Sequence, residues 1–171
     1  MPFLIITFLS VIIIDHVSKY IVQQSMTLYT SIPVLGEFIK LTYIHNPGAA
    51  FGIMPGNRTV FLVLSLIACG VMIYYLYIMP ASERQGRLAL MGILGGAVGN
   101  LIDRVRFGEV TDFVDVGFDN IRWPVFNVAD MAVTIGVAIL FIRLSSSRKS
   151  MNQDNTFKNQ SELIDREDRP A

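Results

Sequence analysis

The sequence predicts an all-α membrane protein, a four-transmembrane-helix bundle with a small extracytoplasmic β-like or interfacial loop element. Three observations carry this expectation. Of 171 residues, 52% are hydrophobic and only 16% are charged, whereas ordinary soluble domains carry about 25% charged residues. Mean hydropathy is +0.49. The apolar residues also cluster into four blocks, to be measured against the ~20 residues that cross a ~30 Å hydrocarbon layer.

The first block runs from Phe3 to about Val22, with Asp15 and Lys19 in its second half. It has no basic stretch ahead of it and no small-residue cleavage site, so it reads as a retained span rather than a secretory leader. The second, Thr59 to Met79, carries no charge and is closed by Pro80. The third, Leu88 to Ile102, has only 15 residues between Arg87 and Asp103. It is short for a crossing, so Asp103 is expected at membrane depth. The fourth follows Pro124, from about Phe126 to Leu144, and holds Asp130 one turn inside its start.

Four spans place both termini on one side. Two long connections, Gln23 to Arg58 and Arg104 to Val125, lie opposite, and the short Ala81 to Arg87 connection shares the termini's face. Basic residues are densest there, at Arg84, Arg87, Arg143, Arg148 and Lys149, which places both termini in the cytoplasm. In the first long connection, Leu28 to Leu41 mixes β-formers with Pro33 and Gly36, predicting short strands or an interfacial segment. Residues 1–144 form the membrane domain. The polar stretch 145–171, almost without aromatic residues, is expected to be a disordered cytoplasmic tail.

Fourteen Lys plus Arg balance fourteen Asp plus Glu, which argues against a basic nucleic-acid-binding protein. The single cysteine, Cys69, excludes an intrachain disulfide, and two histidines leave little for a metal site. Zinc-protease, serine-nucleophile and phosphate-loop motifs are missing. What remains is carboxylate chemistry.

Ionisable residues inside spans are costly and therefore functional candidates. Asn100 and Asp103 end the third span, and Asn127 and Asp130 open the fourth. Each pair is three residues apart and shares a helix face. The third span ends on the side where the fourth begins, so both pairs lie at one depth, and Asp15, late in the first span, reaches it too. Interhelical glue is the bland alternative; for Asp15 and Lys19 it is a simple i,i+4 ion pair. Gly92 with Gly96, and Gly95 with Gly99, form small-residue faces for close helix packing. In the outer connection, Val110 to Phe113 looks like a short extended segment dipping towards the bundle. The loop acids Glu109, Asp112, Asp115 and Asp119 otherwise read as solvated. Asn46 to Phe51 places small residues beside an amide just outside a helix, which reads equally as a place where a peptide backbone could approach or as an ordinary turn into the helix.

Two nearby aspartates cannot both ionise. They share a proton, so one activates water while the other polarises a carbonyl, without metal or cofactor. Asp130 is one member on position alone; its partner is open between Asp103 and Asp112. A proton- or ion-coupled transporter is the rival from another class, but it would need polar residues continuing to the inner side. Val71 to Met79 and Ile135 to Ile142 are largely apolar. A catalytically inert assembly subunit is a third reading.

Five motifs, in order, resemble the bacterial lipoprotein signal peptidases (signal peptidase II). They are Asp15-His-Val-Ser-Lys19, Asn46-Pro-Gly-Ala-Ala-Phe51, Gly95-Gly-Ala-Val-Gly-Asn-Leu-Ile-Asp-Arg104, Val110-Thr-Asp-Phe113 and Phe126-Asn-Val-Ala-Asp130. The resemblance spans about residues 10 to 144. It implies an aspartic endopeptidase whose catalytic pair is Asp112 and Asp130. Asn100, Asp103, Arg104 and Asn127 then form a supporting shell, and Asp15 and Asn46 help position the substrate; Gly48 and Ala129 are counted with this supporting set. The implied partners are prolipoproteins cut before a diacylglyceryl-modified cysteine, together with membrane lipids, with a monomer as the expected unit. The implied location is the bacterial cytoplasmic (inner) membrane, with the active site near the outer face.

Overall fold

The computed structural model describes residues 2–48 and 58–146. Among the described residues, four helices are long and apolar enough to cross a membrane, and a small sheet lies at one end of them. In chain order these are α1 (Pro2–Ser25), β1 (Ser31–Leu35), β2 (Ile39–Asn46), α2 (Arg58–Ile78), α3 (Arg84–Phe107), β3 (Val110–Phe118) and β4 (Ile121–Arg122), then α4 (Val128–Ser146). Ala49, Ala50 and Phe51 of the Asn46 motif, and the tail from residue 147, lie outside the described residues.

α3 differs most from expectation. It is 24 residues long, a full crossing, because Arg87 and Asp103, the charges that bound the apolar stretch, do not end it. Arg87 sits at one mouth and donates from Nη1 to the carbonyls of Leu76 and Met79, the orphaned end of α2. Arg104 remains inside the last turn, where a cation suits the negative helix end. The helix stops at Gly108, whose φ of 84° is left-handed and whose N–H donates to Arg104 O at 3.0 Å.

α3 is the central column. It packs on α1 and α2 and lets α4 approach through its glycines. A Cβ at Gly96 would press on the backbone of Ala129, one at Gly95 would meet Phe8 O at 3.0 Å, and one at Gly99 would meet Asp15 Oδ2 at 2.9 Å. Gly92 is different: a Cβ there meets nothing within 4 Å. It therefore does not share a packing face with Gly96. Gly96→Leu is expected to cost about 1–3 kcal/mol through overpacking. Thermal unfolding in detergent checks this, with Trp123, the single tryptophan, as reporter.

The bundle is polar inside and apolar outside. Ile5, Ile13, Leu64, Ile67, Ile135 and Phe141 are all exposed, whereas Asp15, Lys19, Asn100, Asp103 and Asn127 are buried. This inversion fits a lipid solvent, in which apolar contact between helices has no advantage over contact with acyl chains.

The sheet has the order β1-β2-β3-β4, antiparallel throughout. The expected strands in the first connection are present, but their hairpin is completed by β3 from the second. Val22, Tyr43 and Phe113 form a buried cluster with Met26, Leu41, Val114 and Val128 packed against it, seating the sheet on α1 and the start of α4. Phe126 O accepts from the N–H groups of Phe113 and Val114, at 3.1 and 2.7 Å, which pins the chain entering α4 to β3. Asp115 is not a solvated loop acid. It is buried and accepts from Arg122 Nε at 2.6 Å and Thr42 Oγ1 at 2.7 Å.

Candidate active site

β3 carries Asp112 into the bundle end. Val110 to Phe113 are buried on both faces of the strand, which is what a strand wedged between a hairpin and helices requires. β2 pairs Asn46 with Val110 and Ile44 with Asp112, so Asn46 and Asp112 are diagonal neighbours on one face. Asn46 Nδ2 donates to Asp112 Oδ2 at 2.8 Å. The same side chain's Oδ1 accepts from Gly48 N–H at 2.9 Å. Gly48 has a φ of 104°, left-handed and favourable to glycine.

Asp130 is placed by the start of α4. Its N–H donates to Asn127 Oδ1 at 2.9 Å, and its Oδ2 accepts from Asn127 N–H at 3.1 Å. This reciprocal pair is the geometry of a capping box, with Asn and Asp in the two roles. Asn127 also turns Nδ2 to Asp112 Oδ1 at 2.6 Å. One fully buried asparagine thus touches both aspartates, through its backbone to Asp130 and its side chain to Asp112.

Behind this layer lies a cation that the sequence reading left as a simple pairing partner. Lys19, 3% exposed, places Nζ 2.7 Å from Asp15 Oδ2 and 2.8 Å from Asp103 Oδ2, and donates to Asn100 Oδ1 at 2.9 Å. Two of these contacts are ion pairs, to carboxylates of α1 and α3, and the third is a hydrogen bond to the amide of Asn100. Asn100 Oδ1 also accepts from Asn127 Nδ2 at 3.1 Å. Its orientation is therefore fixed, and its Nδ2 donates to Asp130 Oδ1 at 2.8 Å. A directional chain runs from Lys19 through Asn100 to Asp130. Charge balance, two buried acids facing one another, could have revealed Lys19 earlier: such acids need a cation between them.

The remaining expected residues fall around this chain. Asp15, 0% exposed, also accepts Ala129 N–H at 2.9 Å through Oδ1, fastening α1 to the first turn of α4. Ala129 is fully buried, with its backbone held by Asp15 of α1 and packed on Gly96 of α3. Asp103 accepts from Thr111 N–H at 3.4 Å, and Gln23 Nε2 donates to Thr111 Oγ1 at 2.8 Å. Arg104 turns Nη1 to Ser65 Oγ and to Asn100 O at 3.2 and 3.4 Å, so these hydrogen bonds go to α2 and to its own helix rather than to a carboxylate.

Both oxygens of Asp112 and both of Asp130 thus accept hydrogen bonds from fixed amides. Burial pushes the Asp112 carboxyl up to about 7; the hydrogen bond from Asn46 opposes that, the nearby Asp130 charge adds to it, and the hydrogen bond from Asn127 opposes it. Such a group holds a proton near neutrality and is suited to acid–base work. An apolar hollow of about 350 Å³ opens beside Asp130, lined by Trp123, Phe126, Met131, Thr134 and Ile135.

The family model for signal peptidase (SPase) II matches residues 7–146. The lipoprotein signal peptidase of Moorella thermoacetica is 48% identical over 141 residues, covering 82% of this chain and 90% of that protein. That of Syntrophus aciditrophicus is 41% identical over 144 residues, covering 81% and 89%. A solved bacterial membrane enzyme, determined by the in meso method at 2.3 Å resolution, superposes with a TM-score of 0.80 at 34% identity, covering 88% of this chain and 92% of its own. A second, at 1.9 Å, gives 0.75 at 36%, covering 84% and 93%. With nearly its whole membrane domain matched in sequence and in fold, this chain belongs to the signal peptidase II family of membrane proteases.

Proposed function

We propose that Asp112 and Asp130 are the catalytic dyad of an aspartic endopeptidase that removes the signal peptide from prolipoproteins, cutting before a diacylglyceryl-modified cysteine. The observation that carries this reading is the single buried amide, Asn127, shared by the two carboxyls. Asp112 holds the shared proton and donates it to the scissile carbonyl oxygen. Asp130, accepting N–H bonds from Asn127 at the positive end of α4 and from Asn100, carries the charge and takes a proton from the attacking water. Asp15, Asn46, Gly48, Asn100, Asp103, Asn127 and Ala129 hold the pair and the approaching bond in place, and Arg104 braces α3 against α2.

The geometry suits a lipid-anchored substrate. Its apolar segment and acyl chains stay in the bilayer, and the bond to be cut arrives laterally at the sheet-bearing end. We place that end on the outer face of the bacterial inner membrane and both termini in the cytoplasm, in line with the basic residues at Arg84, Arg87 and Arg143. The working unit in this reading is a monomer.

The test is the purified chain in detergent with a diacylated prolipoprotein, the cut bond being read by mass spectrometry across pH. Cleavage before the modified cysteine is expected, and kcat/KM should fall about tenfold per pH unit above about 7, as Asp112 loses its proton. Stability moves with pH too. Asp112 is raised from 3.8 to about 7 in the folded chain, so the native state binds more protons across that interval and stability falls as pH rises through it. A flat activity profile to pH 9 would count against Asp112 as the acid.

A further inference from the structure

α2 supplies none of the residues assigned to the site above. Its Val63, Leu64, Leu66 and Ile67 are exposed, as a lipid-facing surface requires. Phe61 and Ser65 are half-buried and one turn apart. Ser65 Oγ donates to Phe61 O at 2.8 Å and accepts from Arg104 Nη1 at 3.2 Å. The Arg104 guanidinium carbon lies over the Phe61 ring, 6.0 Å from its centre, within the range at which the electron-rich face of a ring attracts a cation. The same ring meets the chain that leaves β2. A Cβ at Gly48 would run into it, and the three atoms nearest that Cβ are Cγ, Cδ2 and Cε2 of Phe61. The ring therefore rests on the turn that Asn46 closes by accepting the Gly48 N–H at 2.9 Å. The other end of that amide, Nδ2, donates to Asp112 Oδ2 at 2.8 Å.

Resting on the peptidase reading above, we infer that Phe61 is a positioning residue for the reaction: its ring, held by α2 and Arg104, seats the Gly48 turn and so, through Asn46, aims the carboxyl of Asp112. Contacts run in series from Arg104 to Phe61, from Phe61 to Gly48, from Gly48 to Asn46 and from Asn46 to Asp112. Asn46 is the last residue of β2, where the ladder stops, so the direction of its amide depends on the turn that follows. A flat ring suits the task. It lies close against a backbone that lacks a Cβ, and its face offers the guanidinium an attraction that an aliphatic side chain of similar bulk does not.

The experiment measures kcat and KM on a diacylated prolipoprotein for wild type, Phe61→Leu, Phe61→Tyr, Asn46→Ala and the double variant Phe61→Leu/Asn46→Ala, with thermal unfolding in detergent to show that each is folded. Leucine keeps apolar bulk and helix propensity on α2 but has no ring, whereas tyrosine keeps the ring. Phe61→Leu is expected to lower kcat about tenfold, within the scale of a misplaced catalytic group, while KM stays within about threefold and Phe61→Tyr keeps at least about half of kcat. Once Asn46→Ala has cut the link to Asp112, adding Phe61→Leu should change kcat by less than about twofold, because the two residues act in series. A kcat for Phe61→Leu within about twofold of wild type overturns the inference, as does an equal loss in Phe61→Leu and Phe61→Tyr. A loss that adds in full to that of Asn46→Ala also overturns it and makes the ring a packing element alone. A folded wild-type chain that does not cut the prolipoprotein overturns the peptidase reading and this one with it.

Discussion

Asp130→Asn is expected to lower prolipoprotein cleavage at least about a thousandfold. General acid–base contributions of about 10²–10⁴ each set the scale, and an amide can neither take the proton from water nor share one with Asp112. The substitution also disturbs a fixed pattern of donors. Asp130 Oδ1 accepts from Asn100 and Oδ2 from Asn127 N–H. An asparagine offers one acceptor, and Asn100 cannot turn to help, because Lys19 and Asn127 hold its oxygen. One buried donor is left unmet, at about 1–3 kcal/mol. Asp112→Asn meets the same conflict between Asn46 and Asn127. Activity must therefore be read beside thermal unfolding of each variant. A folded Asp112→Asn or Asp130→Asn chain that keeps more than a tenth of wild-type cleavage would falsify the dyad assignment.

Lys19→Met should be the most damaging change to stability, at about 3–5 kcal/mol, the cost of removing one partner from a buried ionic cluster. Two carboxylates, Asp15 at 0% and Asp103 at 4% exposure, would then face each other across the space where Nζ lay. That loss is a large share of the 5–15 kcal/mol typical of a folded domain, so low yield is expected alongside a lower midpoint of unfolding. Adding Asp103→Asn to Lys19→Met removes one of the stranded charges and should recover part of the stability. If Lys19→Met unfolds within about 1 kcal/mol of wild type, the cluster is not what holds α1 to α3.

These two residues also mark where sequence reading succeeds and where it stops. Asp130 was legible because helix periodicity and span direction together fix its depth. Asp112 was not, since its depth depends on β3 pairing with β2, a contact between connections far apart in the chain, and only the family resemblance selected it over Asp103. The β1–β2 hairpin showed through Pro33 and Gly36, whereas its completion by β3 is non-local and leaves no periodic trace. α3 is longer than its uncharged stretch because Arg87 and Asp103, which bound that stretch, both lie inside the helix: the arginine stem runs along apolar surface while its head meets the carbonyls of Leu76 and Met79, and Asp103 pairs with Lys19. Lys19 looked like a local ion pair with Asp15, and that pair exists, but its other two partners lie on α3.

The reciprocal bonds between Asn127 and Asp130 make the proposed nucleophile-activating group one of the residues that start its own helix. The two backbone–side-chain links close only when two residues separate them, so the chain tolerates no insertion or deletion between positions 127 and 130. A length change between Phe118 and Ile121, at the rim of the sheet, meets no such restriction. Natural variation in loop length should therefore collect at that rim and leave the four-residue entrance to α4 constant, because there the start of a helix and the position of a reactive oxygen are set by the same two side chains.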